Sequence, residues 1–261
     1  MSTISSHLQN DSEESEQNKL IQNLIFVKNN IAESARSHQF VGDDITLVAV
    51  SKTKPVEAIK TLYDVGHRHF GENYLQEISE KAPLLQPDIH WHFIGHLQSS
   101  KASKLIRDVP NLFVVETVDS AKLANKLNNA CVTNNRAELS IYAQVHTSDE
   151  ETKSGVTPEQ LPELVQYIKD QCPRLKLRGV MTIGAPGDLS CFDKLVAARE
   201  TVASLLGVPA GALQLSMGMS GDYEEAVARG ATSVRVGSLL FGARLYPASN
   251  STAGVAAATS T

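Results

Sequence analysis

Lys52 is the residue of this 261-residue chain best placed to act as a nucleophile. It closes the β-branched run DDITLVAVSK and, by two-residue alternation, shares a strand face with Val48 and Val50. A stem packed in this way desolvates the amine, which lowers a lysine pKa and leaves a neutral group able to form a Schiff base with an aldehyde. The competing reading is a lysine that lays its stem on apolar surface and keeps its ammonium in water. Lys54 precedes Pro55 at a helix start, where the dipole disfavours a cation, and reads as an entry-path residue. A second group suits an anion. Ser216 and Gly218 precede a helix start at Ser220, and Gly237-Ser238 precede another. Glycines let backbone N–H groups approach a phosphate, and helix N-termini add the positive end of the dipole. Either pair taken alone is equally a tight turn.

Other polar clusters carry less. His90, His92 and His96 stand in HWHFIGH, with no carboxylate or further ligand at a metal-binding spacing, so no metal site is expected. His92 is placed in or under a pocket and His90 at the beginning of its strand. Glu72, Glu77 and Glu80 read as a solvated helix face, and Cys131, Cys172 and Cys191 as reduced structural thiols.

The elements that position these residues alternate. Leu20, Leu24, Val27, Ile31 and Ala35 recur at steps of three and four and predict a leading amphipathic helix. Eight strands then follow, ending near Lys52, Glu72, Ile94, Glu116, His146, Thr182, Ser216 and Gly237. The helices between and after them are predicted at 56–66, 72–81, 98–107, 119–130, 158–169, 190–206 and 220–229, with a short one in SLLFGA. Strand–helix alternation of this kind implies right-handed parallel units. Eight units in roughly 230 residues fit an α/β fold that closes as a single (β/α)8 TIM barrel. An open Rossmann-type sheet is the runner-up, but no G-x-G-x-x-G follows the first strand.

In a closed barrel the eighth strand lies beside the first, and chemistry sits at the C-terminal strand ends. A phosphate held at the ends of strands 7 and 8 and a Schiff-base lysine on strand 1 then face one small ligand. Pyridoxal 5′-phosphate (PLP) offers both an aldehyde and a phosphate. A phosphorylated sugar in a Schiff-base aldolase fits too, although no acidic partners for the lysine can be placed.

Seven blocks in order, VAVSKTKP, HFGENYLQE, WHFIGHLQSSK, SDEETKSG, LRGVMTIGA, LSMGMSGDYEEAV and VRVGSLLFGAR, resemble the pyridoxal phosphate homeostasis proteins (the YggS/PROSC family), relatives of the N-terminal barrel of alanine racemase. The resemblance covers the body from the first helix to Arg244. It implies a fold-type III barrel that binds PLP and buffers or delivers it in the cytosol without robust turnover, with PLP-dependent apoenzymes as acceptors. It also implies roles for individual residues. Lys52 matches the Schiff-base lysine, Ser216 the phosphate position together with Gly218 and the backbone of Gly237 and Ser238, and Arg235 the pyridine-facing arginine. Asn73 and Met181 match pocket positions, and Lys54 and Lys153 match lysines near the path of the cofactor. An arginine opposite the ring nitrogen keeps that nitrogen unprotonated and weakens the electron sink used by PLP enzymes. Ser100 replaces the more usual Asn of LQxNK, and His96 occupies a variable place.

The alternative is a racemase-like PLP enzyme, which needs acid–base groups on both faces of the bound amino acid. Alanine racemase draws one of them from a second domain of its partner subunit. That domain is not expected after Tyr246, so a non-catalytic binder and a monomer are favoured. Composition agrees with this reading: Lys plus Arg number 24 against 29 acids, a net charge of −5, with no basic cluster for nucleic acid. No apolar run reaches the ~18–20 residues of a membrane span. Residues 1–18 hold four acids and no Lys or Arg and are expected as a disordered tail; 19–246 form the PLP-binding barrel, and 247–261 a second tail. Neither a signal peptide nor a transit peptide is read at the start. The expected location is cytoplasmic, with the mitochondrion left open.

Overall fold

The computed structural model describes residues 2–38, 45–148 and 154–242. Its chain order is α1 (Ser2–Ser37), β1 (Thr46–Val50), α2 (Val56–Asp64), β2 (His69–Glu72), α3 (Leu75–Lys81), β3 (His90–Phe93), α4 (Ala102–Asp108), β4 (Leu112–Val118) and α5 (Ala121–Thr133). Then come β5 (Leu139–Gln144), α6 (Leu161–Gln171), β6 (Leu175–Met181), α7 (Ser190–Leu206), β7 (Gln214–Ser216), α8 (Tyr223–Ala228), β8 (Ser233–Val236) and α9 (Ser238–Phe241). All neighbouring strands are parallel, and β8 pairs back with β1, closing the barrel in sequence order. The (β/α)8 expectation holds.

Alternation along each strand sorts the side chains. Outward positions such as Leu47, Phe70, Trp91, Phe93, Ile141 and Val234 pack against the helices in one continuous apolar core. The lumen differs from the branched aliphatic filling usual in such barrels. It holds His69, His92, Glu116, Ser216 and Arg235, with a small apolar cluster of Val114, Tyr142 and Met181. The core therefore lies between sheet and helices, and the lumen is free for polar work.

Boundaries differ from expectation where loops meet the barrel mouth. Helix α3 begins at Leu75 instead of 72, and α8 at Tyr223 instead of 220, because Asn73-Tyr74 and Ser220–Asp222 turn at the strand ends. Ser120 caps α5, one residue inside the predicted start at 119, its Oγ accepting from Leu123 N at 3.3 Å. Helix α1 runs back to Ser2, through residues assigned to a tail. Its residues 14–19 are exposed, and burial starts only around Leu20 and Leu24. The expected boundary thus marks where packing begins, not where the helix does. The second tail lies outside the described residues. Cys131, Cys172 and Cys191 are free and buried.

Candidate functional site

A cavity of about 300 Å³ opens at the C-terminal mouth of the barrel. Val50, Lys52 and Lys54 line it from the end of β1, Asn73 from β2, Ile94 from β3 and Ile183 from β6. Met219, Ser220 and Gly221 come from the loop after β7, and Arg235, Gly237 and Ser238 from β8 and its turn. Lys52 is half-buried here, as its alternation with Val48 and Val50 requires. Lys54 Nζ donates to the Phe241 carbonyl at 2.8 Å, which ties the β1 loop to α9. The Asn73 Oδ1 atom is buried without a hydrogen-bond partner, so its amide is left to meet a ligand. Ser220 Oγ accepts from Gly237 N at 3.2 Å and joins the two loops into one cradle. That loop depends on Gly218: its φ is +90°, and a Cβ there would stand 2.6 Å from Ala226 Cβ.

Several expected residues lie below the cavity. Met181 is buried in the lumen cluster, and Gly218 shapes the backbone without lining the cavity. Ser216 is fully buried: its Oγ donates to Glu116 Oε2 at 2.5 Å and accepts from Arg235 Nη1 at 2.5 Å. These partners direct its hydroxyl into the lumen, and Ser216 does not line the cavity. Ser220, expected only as a helix start, lines the mouth. Lys153 lies outside the described residues.

Arg235 faces the cavity over a buried polar column. Its Nη2 donates to the Thr182 carbonyl at 2.7 Å, and its guanidinium lies 3.9 Å from Glu116. Glu116 Oε1 accepts from His92 Nδ1 at 2.6 Å, and His92 Nε2 lies 2.9 Å from His69 Nδ1. His92 is therefore under the pocket, and His90 begins β3 beside His69. Burial pushes the Glu116 carboxyl up, but the His92 hydrogen bond, the nearby positive charges and the Ser216 hydroxyl outweigh it, and the group is held below its ordinary value. Burial also lowers Arg235 from its usual value, with Glu116 opposing. Burial chiefly, with His92 and His90 beside it, brings His69 down to about 3.

Glu72 and Glu77 are not a solvated face. Glu72 ends β2 fully buried, its Oε1 2.7 Å from Lys81 Nζ, and Glu77 pairs with the same ammonium at 2.7 Å. Glu80 alone of the three is exposed. Sequence reasoning missed Lys81 altogether. A signal was available, since the last turn of a predicted amphipathic helix seldom buries a lysine without a carboxylate partner.

Three cations, an amide with an unpartnered oxygen and a hydroxyl-bearing glycine cradle surround apolar walls. The described lining contains no Asp, Glu, His, Cys or Tyr. Such a set can hold an anion and offer an amine to a carbonyl, but it supplies no carboxylate, imidazole or phenol for proton transfer. Among the described residues no cluster of His, Cys, Asp and Glu suits a metal.

Fold and site define a barrel of the alanine racemase N-terminal type: the family model described as "Alanine racemase, N-terminal domain" matches residues 24–245. Within that class the chain belongs to the pyridoxal phosphate homeostasis protein family. It is 47% identical over 212 residues to the pyridoxal phosphate homeostasis protein of Homo sapiens, covering 77% of each chain. It is 44% identical over 227 residues to that of Schizosaccharomyces pombe, covering 85% of this chain and 91% of the relative. Among solved structures it is similar to PipY of Synechococcus elongatus PCC7942 with PLP bound, at 35% identity and a TM-score of 0.67, over 81% of this chain and 100% of that one.

Proposed function

We propose that this protein binds PLP as a Schiff base on Lys52 and serves intracellular PLP homeostasis as a buffer or carrier. The observation that carries the reading is the meeting of Lys52, Asn73, Arg235 and the Ser220–Gly237–Ser238 cradle in one cavity. The donor set suits the group: hydroxyls and glycine backbone for the phosphate, the guanidinium for the ring nitrogen, and Val50, Ile94 and Ile183 for the ring faces. When bound, PLP would supply an aldehyde, and Lys52 is the lining residue that would offer it a neutral amine. Arg235, as the cation facing the ring nitrogen, would keep that nitrogen unprotonated and weaken carbanion stabilisation. The lining described above also lacks a carboxylate, imidazole or phenol to serve the second face of an amino acid, which favours the binder over the racemase-like enzyme. Relatives named for PLP homeostasis and a PLP-bound neighbour support the same reading.

The lining residues named above all come from one chain, and we read a monomer as the working unit. Three buried free thiols support a reducing, cytoplasmic compartment, with PLP-dependent apoenzymes as recipients. Among the described residues no helix is long and apolar enough to cross a membrane. The test is an absorbance spectrum before and after adding PLP. The wild-type chain should gain a Schiff-base band that borohydride fixes onto Lys52, and Lys52→Ala should not. A protein that PLP leaves colourless overturns the assignment, and rapid racemisation of L- or D-amino acids overturns the non-catalytic reading.

A further inference from the structure

We infer that Glu77 and Lys81 are positioning residues for Lys52: together they clamp the two residues that flank it and hold its backbone in the geometry that sends the amine into the cavity. The inference rests on the PLP reading above.

The carbonyl of Ser51, immediately before Lys52, accepts from Lys81 Nζ at 2.9 Å. The backbone N–H of Thr53, immediately after Lys52, donates to Glu77 Oε2 at 2.7 Å. The clamp closes on itself, because Lys81 Nζ also donates to Glu77 Oε2 and to Glu72 Oε1, each at 2.7 Å. An ammonium has three hydrogens, and all three are used. Ser51 Oγ adds a fourth tie, donating to Glu72 Oε1 at 2.7 Å.

So complete a grip has a local reason. Thr53 has φ +63°, in the left-handed region that a β-branched side chain disfavours. Thr53 is exposed, so packing cannot hold it there; Lys54 N closes the turn by donating to the Ser51 carbonyl at 3.0 Å, and the Thr53 N–H bond to Glu77 pins its strained corner. Released from Glu77, the peptide would relax toward ordinary φ and turn Lys52 away from the cavity. Glu77 and Lys81 are absent from the cavity lining, so they act through Lys52 and not on the ligand.

The step at stake is attack of Lys52 Nζ on the aldehyde carbon, completed by loss of the aldehyde oxygen as water. Misplacing a reacting group by about 1 Å can slow such a step by up to about 10²-fold. Stopped-flow absorbance should therefore show Glu77→Met forming the Schiff-base band at least about tenfold more slowly than wild type. Equilibrium dialysis in a Lys52→Ala background should show PLP affinity unaltered by Glu77→Met, because the phosphate cradle is untouched. Adding Thr53→Gly to Glu77→Met should recover most of the lost rate, since glycine takes positive φ without strain. Lys81→Met strands the buried Glu72 and risks the fold, so the partly exposed Glu77 carries the test. A wild-type rate in Glu77→Met, or no recovery with Thr53→Gly, overturns the clamp. Wild-type protein with no band, or a band that survives Lys52→Ala, overturns the PLP reading instead.

Discussion

Ser216 and Ser220 bracket one short loop and do different work. Ser216 joins Glu116 to Arg235 inside the lumen, whereas Ser220 lines the cavity and links the β7 and β8 loops. Ser216→Ala should therefore cost about 1–3 kcal/mol of stability, since it leaves two buried charged groups each short of a hydrogen bond. Urea unfolding of the unliganded protein measures that loss. Ser220→Ala should instead weaken PLP binding by roughly fivefold, the equivalent of about 1 kcal/mol, with little change in the urea midpoint. If Ser216→Ala loses PLP at full stability while Ser220→Ala keeps it, the phosphate role returns to Ser216. Residue type and strand-end position made Ser216 visible in the sequence. The direction of its hydroxyl was not visible, because the partner that fixes it, Glu116, lies 100 residues away on another strand.

At the scale of elements, the alternation of apolar runs with amphipathic helices made all eight strands and the barrel legible, and Pro55 marked the start of α2 as expected. What failed was the loop at each strand end. Reading Glu72 as the first residue of a helix turned a buried strand terminus into a solvated one, because the Lys81 that accommodates it sits at the far end of α3. The contact between strand ends was equally invisible. Gly95, just after β3, comes so close to the loop after β2 that a Cβ there would lie 1.9 Å from the Asn73 carbonyl oxygen. Gly95→Ala must push Asn73 aside, and overpacking of this kind costs about 1–3 kcal/mol. Because Asn73 lines the cavity, PLP affinity measured by dialysis should fall along with the melting temperature. A variant that melts earlier but binds PLP as wild type does would mean that Asn73 contributes nothing to the ligand.

The whole molecule carries a net charge of −5, of which four negative charges fall within residues 1–18, so the remaining chain is almost neutral. Its response to pH therefore depends on which groups are buried and not on a global field. His67 is buried in the loop entering β2, donates from Nε2 to the His69 carbonyl at 2.8 Å, and is held at about 4, chiefly by burial and then by the charge of Lys28. The unfolded chain titrates its histidines near 6.5, so between about pH 4 and 6.5 the unfolded state binds more protons and stability falls as the medium is acidified. His67 alone contributes roughly 3 kcal/mol to that loss by pH 4. His69, at about 3 for the same main reason, acts in the same direction. Below the ordinary carboxylate range Glu116, whose folded-state value is depressed, begins to withdraw its own stabilisation as it is protonated. Glu72, raised chiefly by burial, works the other way, but its window lies near and above its ordinary value and is narrowed by Lys81. Urea midpoints recorded from pH 7 to pH 4.5 should fall monotonically, with most of the drop below pH 6.5. His67→Gln, whose side-chain amide can still donate to the His69 carbonyl, should flatten the curve. A midpoint that is level from pH 7 to pH 5 in the wild type would mean that these imidazoles take up protons without unfolding the barrel.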